Sequence, residues 1–198
     1  MLTNILHSIA AQPIIYNTLQ KMLGAGQSQR RVALLLADLP AGSVVVDVGG
    51  GTGIYRPTVP AACQYYCVDL DALKVAGFQQ RFPSDHVLRG DGLALPFRGG
   101  SVDSVLCIAV CHHLSNEQLP RFLTECRRLL KPGGKLVLLD PVWNPRQLTG
   151  RLLWAYDRGD FPRSPETLLT ILARQGRVVT QDIYAIWHTY LLCVVVMD

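Results

Sequence analysis

No stretch of this 198-residue chain reaches the roughly 18–20 unbroken apolar residues that a membrane-spanning helix requires. Nor is there an early positive charge at the N-terminus, MLTNILHSIAAQPIIY, where Asn4, His7 and Gln12 interrupt the apolar residues. That segment therefore does not read as a secretory signal, and a soluble, cytoplasmic protein is expected. Runs of five like charges are also missing. The formal charge of +4 comes from scattered residues, so a basic tail for nucleic acid or lipid is not expected, and nucleic acid is disfavoured as a partner. Lysine is scarce, four residues against fifteen arginines, and arginine forks suit an anionic ligand. Paired cysteine spacing is lacking too. Cys63, Cys67, Cys107, Cys111, Cys126 and Cys193 mostly sit in apolar runs, which fits reduced core residues. Cys107-x-x-x-Cys111 next to His112-His113 lacks the two separated ligand pairs of a structural zinc site, and no metal is expected.

What is present alternates between two periods. Residues 12–23 place Ile15, Leu19, Met22 and Leu23 at helical spacing before GAG at 24–26, and QSQRRVALLLADLP predicts a second helix ending at Pro40. SVVVDV, CQYYCVDLD, HVLRGD, SVDSVLCIAV and KLVLLD then read as five strands. Between the fourth and fifth, Ser115 to Gln118 fits a capping box, followed by Leu119, Phe122, Leu123, Cys126, Leu129 and Leu130 on one helical face. PETLLTILARQG predicts a last helix. RVVTQDIYA and WHTYLLCVVVMD are joined too tightly for a crossover helix, so they predict an antiparallel pair. The fold class expected is α/β: a doubly wound, Rossmann-like sheet, mostly parallel, with an antiparallel C-terminal strand.

The run VVVDVGGGTG puts four glycines in five positions at the end of the first strand. In such sheets ligands bind outside the strand carboxyl ends, and glycine permits both positive φ and close approach of a ligand to the main chain. A dinucleotide loop, G-x-G-x-x-G, would need glycine where Ile54 stands, and no Gly-Lys-Ser/Thr follows for a triphosphate loop. The pattern left is Asp47-x-Gly49-x-Gly51-x-Gly53.

DVGGGTG, YCVDLD, GDGLALPF, GSVDSVLCIAVCHHL and RLLKPGGKLVLLD, in that order, resemble the class I S-adenosylmethionine-dependent methyltransferases. The likeness is closest to small quinone-biosynthesis-type (methyltransferase type 11-like) enzymes. The resemblance implies S-adenosylmethionine as cofactor. Asp69 would accept from both ribose hydroxyls and Asp91 from the adenine amino group, with Gly92 as a backbone donor. Asp47, Gly49, Gly51 and Gly53 would surround the methionine end, and Leu70 and Ile108 complete the cofactor set. Asp71 suits a helix cap better than a ligand contact, and Asp103, at the start of the fourth strand, reads as structural. Pro57 and Pro60 predict a short or irregular helix behind the glycine loop, with compensation from Tyr16 or Gln20.

Transfer from a sulfonium needs a base only where the acceptor must lose a proton. His112 and His113, just after the fourth strand, are the candidates, His112 preferred. In residues 141–164 aromatics alternate with arginines, which predicts a substrate cap offering Trp143, Tyr156 and Arg158, with Tyr16 from the N-terminal segment, to a flat small-molecule acceptor. A helical hairpin with outward arginines is the alternative there. One methyltransferase domain over 1–198 is expected, with N-terminal helices at 1–40, a cofactor-binding core at 41–140, the cap at 141–164, and a helix with an antiparallel strand pair at 165–198. The function expected is O- or C-methylation of a small molecule. The alternatives are a catalytically silent cofactor-binding or regulatory protein, and an RNA methyltransferase.

Overall fold

The computed structural model describes residues 25–155 and 159–197. The helix expected over 12–23 lies outside them, as do Tyr16, Gln20, Tyr156 and Arg158. Seven strands form one sheet: β1 (Val44–Val48), β2 (Gln64–Asp69), β3 (His86–Arg89), β4 (Val102–Ile108), β5 (Leu130–Val142), β6 (Arg177–Ala185) and β7 (Thr189–Val196). The spatial order is β3-β2-β1-β4-β5-β7-β6. Strands β1 to β5 are mutually parallel, while β7 runs antiparallel to both β5 and β6. The doubly wound sheet with a reversed strand is thus the observed architecture.

Period-two alternation sends successive side chains to opposite faces and builds two cores. From β1, Val46 and Val48 join one core while Val45 joins the other; from β4, Val105 and Cys107 part from Leu106 and Ile108 in the same way. Five helices accompany the sheet among the described residues: α1 (Ala25–Leu36), α2 (Ala72–Arg81), α3 (Gln118–Leu129), α4 (Leu148–Trp154) and α5 (Pro165–Leu172). Leu119, Phe122, Leu123, Cys126 and Leu129 of α3 are buried with Leu168 and Leu172 of α5 on the first face. Val32 and Leu36 of α1 and Phe78 of α2 are buried on the second. Truncating a side chain as enclosed as Phe122 to alanine costs about 3–5 kcal/mol.

Local signals set the helix starts. Ser115 and Gln118 exchange side-chain and backbone hydrogen bonds at 3.0 and 3.1 Å, the reciprocal cap expected before α3. Asp71 accepts from the Leu73 and Lys74 amides and starts α2. Ala25 and Gly26 of GAG lie in α1, which stops at Leu36, ahead of the expected Pro40. Behind the glycine loop a single 3-10 turn, Arg56–Thr58, stands where a helix was expected to be short, because Pro57 sits in its first positions. Arg56 fixes that turn by a two-pronged ion pair with Asp85 at 2.6 and 3.0 Å. Among the described residues no helix is long and apolar enough to cross a membrane. All six cysteines are buried and free.

Candidate active site

The carboxyl ends of β1 and β4 part at the switch in strand order, and a cavity of about 620 Å³ opens there. Asp47 and Gly49 of the β1 end, Asp69 of β2, and Asp91 and Gly92 after β3 line its one side; Ile108, His112 and His113 line the other. Leu70 also lines it and is 65% exposed. Gly51 and Gly53 are not among the lining residues.

Gly49, Gly51 and Gly53 all adopt positive φ, at 77°, 58° and 74°, so the alternate-glycine spacing is a conformational requirement. Packing adds a second requirement, toward protein rather than ligand. A Cβ on Gly49 would meet Val110 Cγ2 at 2.5 Å, and one on Gly53 would meet the Phe78 and Phe82 rings at 2.7 Å. At Gly50 it would strike the Asp47 carboxyl and Cys67 Sγ at 2.8 Å. Gly92 is bare because Phe122 and Val48 press on it.

The three carboxylates differ in environment. Asp47 is fully enclosed, and the Tyr65 hydroxyl donates to its Oδ2 at 2.6 Å. Its Oδ1 is buried with no hydrogen-bond partner among the described residues. Burial raises its pKa to about 7, against the lowering effect of the Tyr65 hydrogen bond. Asp69 accepts from the Gly51 amide through Oδ2 and the Asp71 amide through Oδ1, both at 2.9 Å, so it ties β2 to the glycine loop while facing the cavity. Asp91 is exposed, and its Oδ1 accepts from the Leu93 amide at 2.9 Å, closing a local turn. Three acids against one lysine, Lys74, would repel a pyrophosphate and suit a cationic ligand carrying hydroxyl and amino donors. The unpartnered Asp47 oxygen supplies a place for an ammonium or sulfonium-bearing group.

On the opposite wall, Ala109 adopts φ 56°, an uncommon conformation for a residue with a Cβ. It turns the chain after β4 so that consecutive amides point at one carboxylate, that of Asp140 on β5. Asp140 accepts from the amides of Val110, Cys111 and His112 at 3.0, 2.7 and 3.2 Å, and pairs with His112 Nδ1 at 2.8 Å. With three amides already donating to it, Asp140 serves as acceptor, so Nδ1 carries the proton and Nε2 is the basic nitrogen. His112 is 5% exposed and Asp140 1%. His113 is exposed and its ring centroid lies 4.0 Å from that of His112.

Asp140 escaped the sequence reading, although an acid ending a buried strand was its visible signal. Arg163 is 8% exposed and donates to the carbonyls of Cys111 and Leu114 and to Asn116 Oδ1 at 2.9, 2.7 and 2.9 Å. It clamps the turn that carries His112. Trp143 does not line the cavity; it is half-buried and its amide donates to the Arg163 carbonyl. His188 and Tyr190 do line it and were not anticipated, since they sit inside a segment that reads only as a strand. Asp103 is structural, as expected, holding the Val44 amide at 2.8 Å and pairing with Lys131.

A doubly wound sheet with a reversed strand next to β5, a glycine bend and acids ending β1 and β2 together define a nucleoside-cofactor-binding fold of the Rossmann-like class. Residues 46–138 match the family model described as a methyltransferase domain, and the fold is that of the class I S-adenosylmethionine-dependent methyltransferases. A tRNA (carboxymethyluridine(34)-5-O)-methyltransferase of Arabidopsis thaliana is 34% identical over 126 residues, covering 62% of this chain and 30% of that protein. The putative methyltransferase of Haloferax volcanii, solved with the Trm112 methyltransferase activator, shares the fold at a TM-score of 0.76 and 20% identity, covering 94% of this chain and 96% of that one. Geranyl diphosphate C-methyltransferase from Streptomyces coelicolor A3(2), solved with S-adenosyl-L-homocysteine, gives 0.72 at 16% identity over 87% and 76%. The chain spans less than half the length of the curated relatives it matches. The expectation that nucleic acid is an improbable partner is overturned by the relatives named for tRNA methylation. Scattered charge does not exclude such a partner, because single-stranded RNA loops are read through stacking and hydrogen bonds to base edges.

Proposed function

We propose that this chain transfers the methyl group of S-adenosylmethionine to an oxygen of a modified uridine in tRNA. The observation that carries the reading is the buried His112–Asp140 pair, which opens onto the same cavity as Asp47, Asp69 and Asp91. The relatives named for tRNA methylation supply the substrate class. The bound cofactor supplies an electrophilic methyl group on a sulfonium, which leaves as a neutral thioether. Asp69 holds the ribose hydroxyls, Asp91 and the Gly92 amide the adenine, and Asp47 the ammonium end. Asp140 fixes the tautomer and orientation of His112, and Nε2 orients the acceptor oxygen and takes its proton where it carries one. Placing the two reactants in line contributes up to roughly 7–11 kcal/mol of the barrier reduction. A cavity of about 620 Å³ at the strand ends suits a base taken out of its stack.

The test is release of S-adenosylhomocysteine with tRNA transcripts and with tRNA from cells lacking wobble-uridine methylation. It is run with and without an activator of the Trm112 kind, as accompanies the Haloferax neighbour. Product formation on tRNA that is lost in His112→Ala supports the reading. Cofactor binding without transfer to any tRNA, activator present, refutes it.

A further inference from the structure

Helix α4 and the turn between β6 and β7 meet beside the cavity. Thr149 Oγ1 donates to the Trp187 carbonyl at 2.9 Å, and Asn144 Nδ2 to Thr189 Oγ1 at 3.0 Å. Thr189 in turn donates to Gln147 Oε1 at 2.7 Å, so the two segments form one surface. Its inner side belongs to the active site: Leu153 and His188 line the cavity, and the Trp154 ring stands edge-on to both His112 and His188.

Its outer side inverts the usual pattern of a surface helix. Leu148 is 73% exposed, Leu152 64% and Trp187 47%. Leu148 and Leu152 are one turn apart and share a face, and exposed Arg151 stands three residues after Leu148 on that side. Exposed Arg146 lies just before the helix, and Leu148–Trp154 contains no acid. An exposed indole among aliphatic and guanidinium groups at the rim of a site marks a contact surface.

We propose that this rim is the platform for the single-stranded RNA loop that carries the target nucleotide. Trp187 stacks a neighbouring base, and Arg151 and Arg146 meet its phosphates. The inference rests on the tRNA reading above. Continuity with the cavity and charge favour an RNA loop as the occupant: a base entering past Leu153 and His188 draws its neighbours across Trp187, and the charged side chains Arg146 and Arg151 are both cationic. Stacking on an indole accepts any base, so the platform adds affinity without fixing the sequence.

The experiment uses the full chain, a tRNA substrate that it methylates, and S-adenosylhomocysteine as the cofactor probe. Trp187→Ala is expected to raise the RNA Kd and KM by roughly 5- to 150-fold, with cofactor affinity and thermal midpoint kept. Trp187→Phe, which retains a flat ring, is expected to restore most of the loss. Arg151→Gln is expected to lower the slope of log Kd against log salt by about one. RNA binding by Trp187→Ala equal to wild type overturns the proposal, as does a Phe variant as weak as the Ala variant. A rim variant that loses affinity only for an activator protein assigns the surface to a protein and also overturns it. A wild-type chain that neither binds nor methylates tRNA removes the tRNA reading itself, a result distinct from a wild type that methylates tRNA and a Trp187→Ala variant that does so equally well.

Discussion

Replacing Asp47 with asparagine separates the cost of burying a carboxylate from its use. Burial raises the pKa of Asp47 from 3.8 to about 7, opposed by the Tyr65 hydrogen bond and reinforced by the Asp69 charge. In the unfolded chain the same group releases its proton near pH 4. Between pH 4 and 7 the folded protein therefore binds a proton that the unfolded chain does not, so stability falls as pH rises across that window and levels off above it. A rise of roughly three pKa units corresponds to on the order of 4 kcal/mol. Asparagine carries no charge and escapes this, but its amide nitrogen takes the place of the unpartnered Oδ1 and costs about 1–3 kcal/mol as a buried donor. Without ligand, Asp47→Asn is expected to be more stable than wild type by roughly 1–3 kcal/mol at pH 8, and about 2–3 kcal/mol of that difference should be gone at pH 5, where the variant is about as stable as wild type or about 1 kcal/mol less so. Denaturant titrations at pH 5, 6, 7 and 8 measure the crossing. Ligand affinity moves the other way: S-adenosylhomocysteine binding tightens in wild type from about pH 5.5 to 7.5 as Asp47 ionises, and is weak and flat in the variant. The window closes at about 7.5 because an α-amino group titrates near 8. A variant less stable by the same amount at all four pH values would refute the reasoning.

Three further outcomes are expected. Asp69→Ala removes the proposed ribose acceptor and frees the Gly51 and Asp71 amides, so calorimetry should give at least about a hundredfold loss of cofactor affinity, the equivalent of two charged hydrogen bonds. Asp140→Asn and His112→Ala should each lower kcat by about 10²- to 10⁴-fold; only the former should also lower the thermal midpoint strongly, since Asp140 holds three amides. Arg163→Met should cost on the order of 3 kcal/mol in chemical denaturation and lower kcat more than it changes cofactor affinity, because the turn it clamps carries His112 and not the glycine loop.

The parts of this protein that could be read from sequence are those where one residue's chemistry decides its position. Valine runs, a Ser-to-Gln cap, Asp71 before a helix and glycines forced to positive φ are local decisions, and each is where it was expected. The half of the cavity proposed to hold the cofactor is built almost wholly from such residues, at the ends of β1 to β3. The half proposed for the acceptor is not. His112 would acquire its role from Asp140, 28 residues away, and has its turn held by Arg163, 51 residues away, through bonds to main-chain carbonyls that carry no sequence signature. An arginine bound to carbonyls and an arginine bound to phosphate are identical as letters, which is why Arg163 and Arg151, twelve positions apart, have opposite surroundings: one is enclosed, the other exposed. The same limit applies to the proposed partner. A cofactor at the ends of adjacent strands leaves a local pattern in the sequence, whereas a loop of RNA would draw one side chain from a helix and another from a distant turn. On that proposal the residues that choose the acceptor are to be sought on α4 and between β6 and β7, where residues far apart in the chain meet, and not in the glycine run.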